Sequence, residues 1–122
     1  MMRLGAVVLD TDDIEALADF YRALLGWPDY ENDGEYIYLR DGTKNTRLIF
    51  QKDPEYQKPV WPAEPEKQQQ MLHLDFYTAD MQKEVRHAIA CGAKLSGVQY
   101  SEYWTVMIDP AGHPFCIVGM ND

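Results

Sequence analysis

The sequence predicts an α+β fold built from a duplicated unit. Three observations carry this. A short valine-rich apolar run, RLGAVVL (3–9), precedes a segment with helical spacing, and apolar runs of strand length follow it. The same order, strand then helix then strands, begins again at MLHLDFY (71–77). Between the two lies a proline-rich stretch that cannot pair regularly. Recurrence of one supersecondary pattern at similar offsets is the mark of a repeat. Neither half is large enough to close its own sheet, so a cleft between the halves is the expected place for a ligand.

Each element has a local reason. Residues 3–9 read as a strand. Asp12 and Glu15 stand in a capping-box arrangement. From there Ile14, Leu17, Phe20, Tyr21, Leu24 and Leu25 recur at helical spacing until Gly26, where a helix should stop. GWPDYENDG is rich in turn formers. EYIYLR (35–40) and TRLIFQK (46–52) then read as strands separated by a DGTKN turn. In 53–70, Pro54, Pro59, Pro62 and Pro65 give an extended linker. MLHLDFY is the next strand. Asp80 is the expected cap of a helix containing Val85, Ala88 and Ile89 and ending at Gly92. AKLSGVQY, YWTVMID and PFCIVG follow as strands, with a DPAGH turn between the last two.

Composition narrows the function. A chain of 122 residues fits one domain that can bury a core without staples. Its formal charge of -9 argues against nucleic acid or an anionic membrane as partner, because both recruit basic surfaces. Two cysteines make no disulfide framework and fit a reducing compartment. No apolar run is long enough to span a membrane, and MMRLGAVVLDTDD lacks the features of a signal peptide. Cytoplasmic location is the expectation.

The segments DIEALADFYRALLGW, LHLDFYTAD and WTVMIDPAGHPFCIV, in that order, resemble the vicinal oxygen chelate superfamily of glyoxalase and bleomycin-resistance-like proteins. The resemblance implies paired βαβββ modules forming a curved mixed sheet around a cleft. It reads the chain as a single glyoxalase-like domain, 1–122, with module one at 1–52, the linker at 53–70 and module two at 71–122. It also implies a homodimer. Catalytic relatives hold a metal through four ligands, two per module. Carried onto this chain, those positions fall on Ala6, on Leu48 (Arg47 or Ile49 if the register slips), on His73 and on Cys116, where the usual glutamate is replaced. One histidine and one cysteine are too few donors for a divalent ion. The expectation is a lost metal site, no cofactor, and no catalytic residue.

What remains is a ligand-binding reading. Side chains alternate across a strand, so His73 and Asp75 share a face and are expected to line the cleft, with Cys116 on the same side. Tyr38, Trp104 and Gln51 join them as candidate contacts. Trp61, between Pro59 and Pro62, is either a lid or an anchor on a second subunit. An aromatic-walled cleft suits a flat, hydrophobic or cationic molecule. Tyrosines and tryptophans also cap sheets and fill dimer interfaces, which is the competing explanation. Other chemistries fare worse. His73, Asp75 and His113 outline a facial triad for non-haem iron, but His113 belongs to a turn. A Cys116–His73 nucleophile pair needs hydrogen-bond proximity. His87 is expected to face solvent and Cys91 to be inert. Two alternatives stand beside the binding protein: a metal-dependent lyase, isomerase or dioxygenase of the same superfamily, and a regulatory module.

Overall fold

A computed structural model describes residues 1–120. The chain divides into two compact units, Met1–Tyr56 and Gln57–Asp122. The proline-rich segment therefore belongs mostly to the second unit.

The first unit contains β1 (Ala6–Thr11), α1 (Ile14–Leu25), β2 (Asp29–Asn32), β3 (Tyr36–Arg40) and β4 (Arg47–Lys52). Its strands form a mixed sheet in the order β1-β4-β3-β2, with β1 and β4 parallel. The helix starts one residue later than the sequence suggests. Thr11 still belongs to β1, and its hydroxyl accepts the Asp13 N–H at 3.1 Å. Asp13 is thereby set as the cap, accepting the Ala16 N–H at 3.0 Å. Gly26 ends the helix at φ 67°, where a side chain would be strained. The apolar stripe of α1 buries Leu17, Phe20 and Tyr21 against Ile37, Leu39, Leu48 and Phe50, with Tyr21 stacked on Phe50 at 5.7 Å. Strand β2 is an addition: DYEN was hidden inside a stretch that reads as turn. It pairs antiparallel with β3, and Arg40 reaches Asp29 and Glu31 across the pair.

The second unit repeats the plan with β5 (Leu74–Thr78), α2 (Met81–Cys91), β6 (Lys94–Leu95), β7 (Trp104–Ile108) and β8 (Pro114–Gly119). The strand order is β5-β8-β7-β6, with β5 and β8 parallel. The eight strands thus make two four-stranded mixed sheets, each with one helix and neither closed. Asp80 caps α2 through the Lys83 N–H. Phe76, Met107, Phe115 and Ile117 turn to the helix side of the sheet, and Phe76 meets Phe115 edge-on at 5.8 Å.

The expected strand AKLSGVQY stops after Leu95, for a visible reason. The Ser96 N–H still donates to the Val106 carbonyl at 3.0 Å, but the next partner is a side chain. The Gln99 amide donates to Val106 O at 2.9 Å and to Ser96 O, and its Oε1 accepts the Val106 N–H at 2.8 Å. One glutamine amide thus takes the place of a further strand residue, leaving 98–103 free to form a loop. In the turn before β8, Asp109 accepts the N–H groups of Ala111 and His113, and Gly112 sits at φ 90°.

Candidate functional site

Strand register gathers the site. In the second unit Asp75 lies opposite Cys116, Val106 opposite Cys116 on the other side, and Trp104 opposite Val118. Paired residues share a sheet face, so one face carries Asp75 and Tyr77 from β5, Pro114, Cys116 and Val118 from β8, and Trp104 and Val106 from β7. Helix α2 covers the opposite face. With His73, which immediately precedes β5, and the loop residues Trp61 and Tyr100, these side chains line a cavity of about 380 Å³. Trp61 meets Tyr100 edge-on at 6.4 Å, so two loops supply an aromatic wall that the sheet alone does not.

Most of the lining is apolar, and its polar groups are concentrated in one corner. His73 Nε2 stands 3.3 Å from Asp75 Oδ1, both side chains being half-exposed. Cys116 is buried beside them. Burial first, and then the neighbouring Asp75 charge and hydrogen bond, push the Cys116 thiol up to about 11. Near neutral pH it is therefore a protonated thiol held by a carboxylate, the opposite of an activated nucleophile. The Cys116–His73 nucleophile pair loses its chemical basis.

Of the six candidate contacts, His73, Asp75, Trp104 and Cys116 come together at this cavity. Tyr38 and Gln51 belong to the first unit. Tyr38 is on β3, where its hydroxyl donates to Asp33 at 3.3 Å and Arg40 lies over its ring. Gln51 is on β4 opposite Tyr36. Trp61, weighed as a lid, is a wall residue here, with its indole N–H buried and unpartnered among the described residues. Tyr77 could have been found by extending the His73, Asp75 alternation. Tyr100 carried no local signal, since it lies in the loop that Gln99 creates. His113 is neither a cavity residue nor a member of the donor group at this corner. His87, expected to face solvent, is half-buried and touches Cys91 Sγ one helical turn away, at 3.7 Å, and burial raises the Cys91 thiol.

The superfamily's two-module metal set does not fit this chain. Ala6 pairs with Arg47, and Leu48 is buried on the helix side of its sheet; neither methyl, guanidinium nor isobutyl offers a lone pair. The second unit differs from expectation in the other direction. His73, Asp75 and Cys116 offer three donor atoms, all within 4.8 Å of one another. Reading the sequence by family positions counted two donors there, and the β5–β8 register adds the third.

The described helices include none long and apolar enough to cross a membrane. None of the curated proteins matches the chain. Among solved structures, a glyoxalase/bleomycin resistance protein/dioxygenase family enzyme from Burkholderia phytofirmans PsJN superposes with a TM-score of 0.71 at 22% identity, covering 95% of this chain and 97% of that one. Glyoxalase I of Leishmania major gives 0.63 at 14% identity, covering 97% of this chain and 86% of that one. TnmS3, an antibiotic binding protein from Streptomyces sp. CB03234, gives 0.63 at 14% identity, with 97% and 95% covered. These likenesses establish the fold. The family model for the glyoxalase-like domain matches residues 6–118, nearly the whole chain, and with the repeated strand–helix–strand order it shows that this protein belongs to the glyoxalase-like domain family, within the vicinal oxygen chelate superfamily.

Proposed function

We propose that this protein binds a small aromatic or hydrophobic molecule in the cavity of its second unit. The observation that carries the reading is the lining itself: Trp61, Tyr77, Tyr100 and Trp104 around a space of about 380 Å³, within the usual size of a small-molecule site. Aromatic faces favour flat ligands by stacking. Asp75, with its carboxylate half-exposed at the polar corner, gives a ligand cation a counter-charge beside those faces. The likeness to an antibiotic binding protein supports binding as a sufficient activity for this fold. Tyr38 and Gln51 remain candidate contacts on the first unit, and the 122 residues are read as one domain. The two free thiols fit a cytoplasmic location, and the family resemblance supports a homodimer.

A thermal-shift screen of planar aromatic compounds, neutral and cationic, tests the binding reading. Binding only to the folded state raises stability by about 2.7 kcal/mol at a hundredfold excess over Kd. The expected result is stabilisation that Trp104→Ala abolishes for all ligands and Asp75→Asn weakens for cationic ones only. Stabilisation unchanged in both variants, or no stabilisation by any aromatic compound, overturns it.

A second reading, a metal-dependent lyase, isomerase or dioxygenase, is favoured by one observation: the three clustered donors at the cavity corner.

A further inference from the structure

We infer that His73, Asp75 and Cys116 form a zinc-binding site contained wholly within the second unit. Two of these residues occupy positions that the superfamily uses for metal. Asp75 does not, and the first-module positions contribute nothing. The site is therefore a rearranged one: a carboxylate two residues along β5 takes over from ligands that the other module lacks.

Geometry, charge and donor chemistry agree. Two donors each about 2.0–2.1 Å from a zinc ion at the tetrahedral angle lie about 3.3 Å apart. The His73 Nε2 to Asp75 Oδ1 separation is 3.3 Å. Cys116 Sγ lies within 4.8 Å of both, against a sulfur–nitrogen spacing of about 3.6 Å in a tetrahedral zinc site. The neutral imidazole, carboxylate and thiolate together carry two negative charges, matching Zn²⁺; the displaced thiol proton passes to the buffer. Nitrogen, oxygen and sulfur donors together suit zinc, while magnesium and calcium take oxygen alone. Strand pairing fixes the two strand-borne donors, since Asp75 and Cys116 are direct partners across a parallel ladder. All three residues line the cavity, so the fourth position is supplied from that space, as in zinc sites that act on a bound molecule.

This site does not depend on the binding reading above, because it can be measured with the metal alone. The full-length chain is freed of metal with a chelator, titrated calorimetrically with Zn²⁺, and titrated with Co²⁺ by absorption. The expected result is one Zn²⁺ per chain and a Co²⁺ spectrum with intense tetrahedral bands and a thiolate charge-transfer band. Cys116→Ser removes the charge-transfer band. His73→Gln and Asp75→Asn each weaken Zn²⁺ binding roughly tenfold or more, the scale seen even for supporting groups at metal sites. Both side chains are half-exposed, and circular dichroism verifies that the variants fold. Cys91→Ser and His87→Gln control for the other histidine–cysteine contact and leave the spectrum unchanged. No stoichiometric Zn²⁺ binding, a Co²⁺ spectrum without the thiolate band, or a band lost with Cys91 and kept without Cys116 overturns the inference.

Discussion

Gln99 offers a sharp test of how this fold positions its cavity. Its side-chain amide makes three hydrogen bonds, to Val106 N, Val106 O and Ser96 O, at 2.8 to 3.0 Å. Val106 is buried and lines the cavity. In Gln99→Ala the Val106 carbonyl keeps its bond from Ser96 N, but the Val106 N–H loses the acceptor it has in Gln99. An ordinary lost hydrogen bond costs about 1 kcal/mol, and one whose loss leaves a buried donor unsatisfied costs about 1–3 kcal/mol. The expected loss is therefore about 1–3 kcal/mol, a large share of the 5–15 kcal/mol typical of a domain. Urea unfolding monitored by circular dichroism measures it. Gln99→Glu sharpens the test: an ionised carboxylate can accept from Val106 N but cannot donate to either carbonyl, whereas the protonated acid can do both. The deficit of that variant should shrink as pH falls. A Gln99→Ala loss under about 0.5 kcal/mol, at the noise level of an ordinary surface substitution, refutes the idea that this amide replaces a strand residue.

Gly112→Ala should destabilise by about 1–3 kcal/mol in the same assay, because φ 90° strains any residue with a side chain and a methyl there meets the Lys58 chain at 3.3 Å. Asp80→Ala should cost about 0.5–2 kcal/mol by removing the cap of α2. Cys116 should alkylate slowly, with a rate that rises through an apparent pKa of about 11; Asp75→Asn removes a raising charge and should lower that value. The sign for stability follows. The folded state holds this proton more tightly than the unfolded chain, so the contribution is complete below about 9 and is lost as pH rises towards about 11. Chemical unfolding across that range should show a decline that Cys116→Ser reduces.

The chain order, the two helices and the strands facing them were legible because their causes are local. The apolar stripe of α1, the αL glycines at 26 and 92 and the Asp80 cap all act within a few residues of one another. The same alternation put His73 and Asp75 on one face. Boundaries slipped where two local solutions competed. Asp12 and Asp13 could each cap α1, and the length of β1 decided between them. Strand β2 was missed because DYEN carries almost no apolar signal and exists only because β3 offers it an edge. AKLSGVQY reads as a strand by composition, and a glutamine side chain took its place in the ladder.

By itself the sequence determined the fold family and the polar pair at the start of β5, since periodicity and caps are written residue by residue. Which groups meet was decided by tertiary structure. Asp75 and Cys116 become neighbours only through the parallel pairing of β5 and β8, and parallel strands are necessarily far apart in the chain. The loops bearing Trp61 and Tyr100 close the aromatic wall by contacts that no local pattern encodes. A ligand site is a set of distances, and distances across a sheet depend on register, which only the packed molecule fixes.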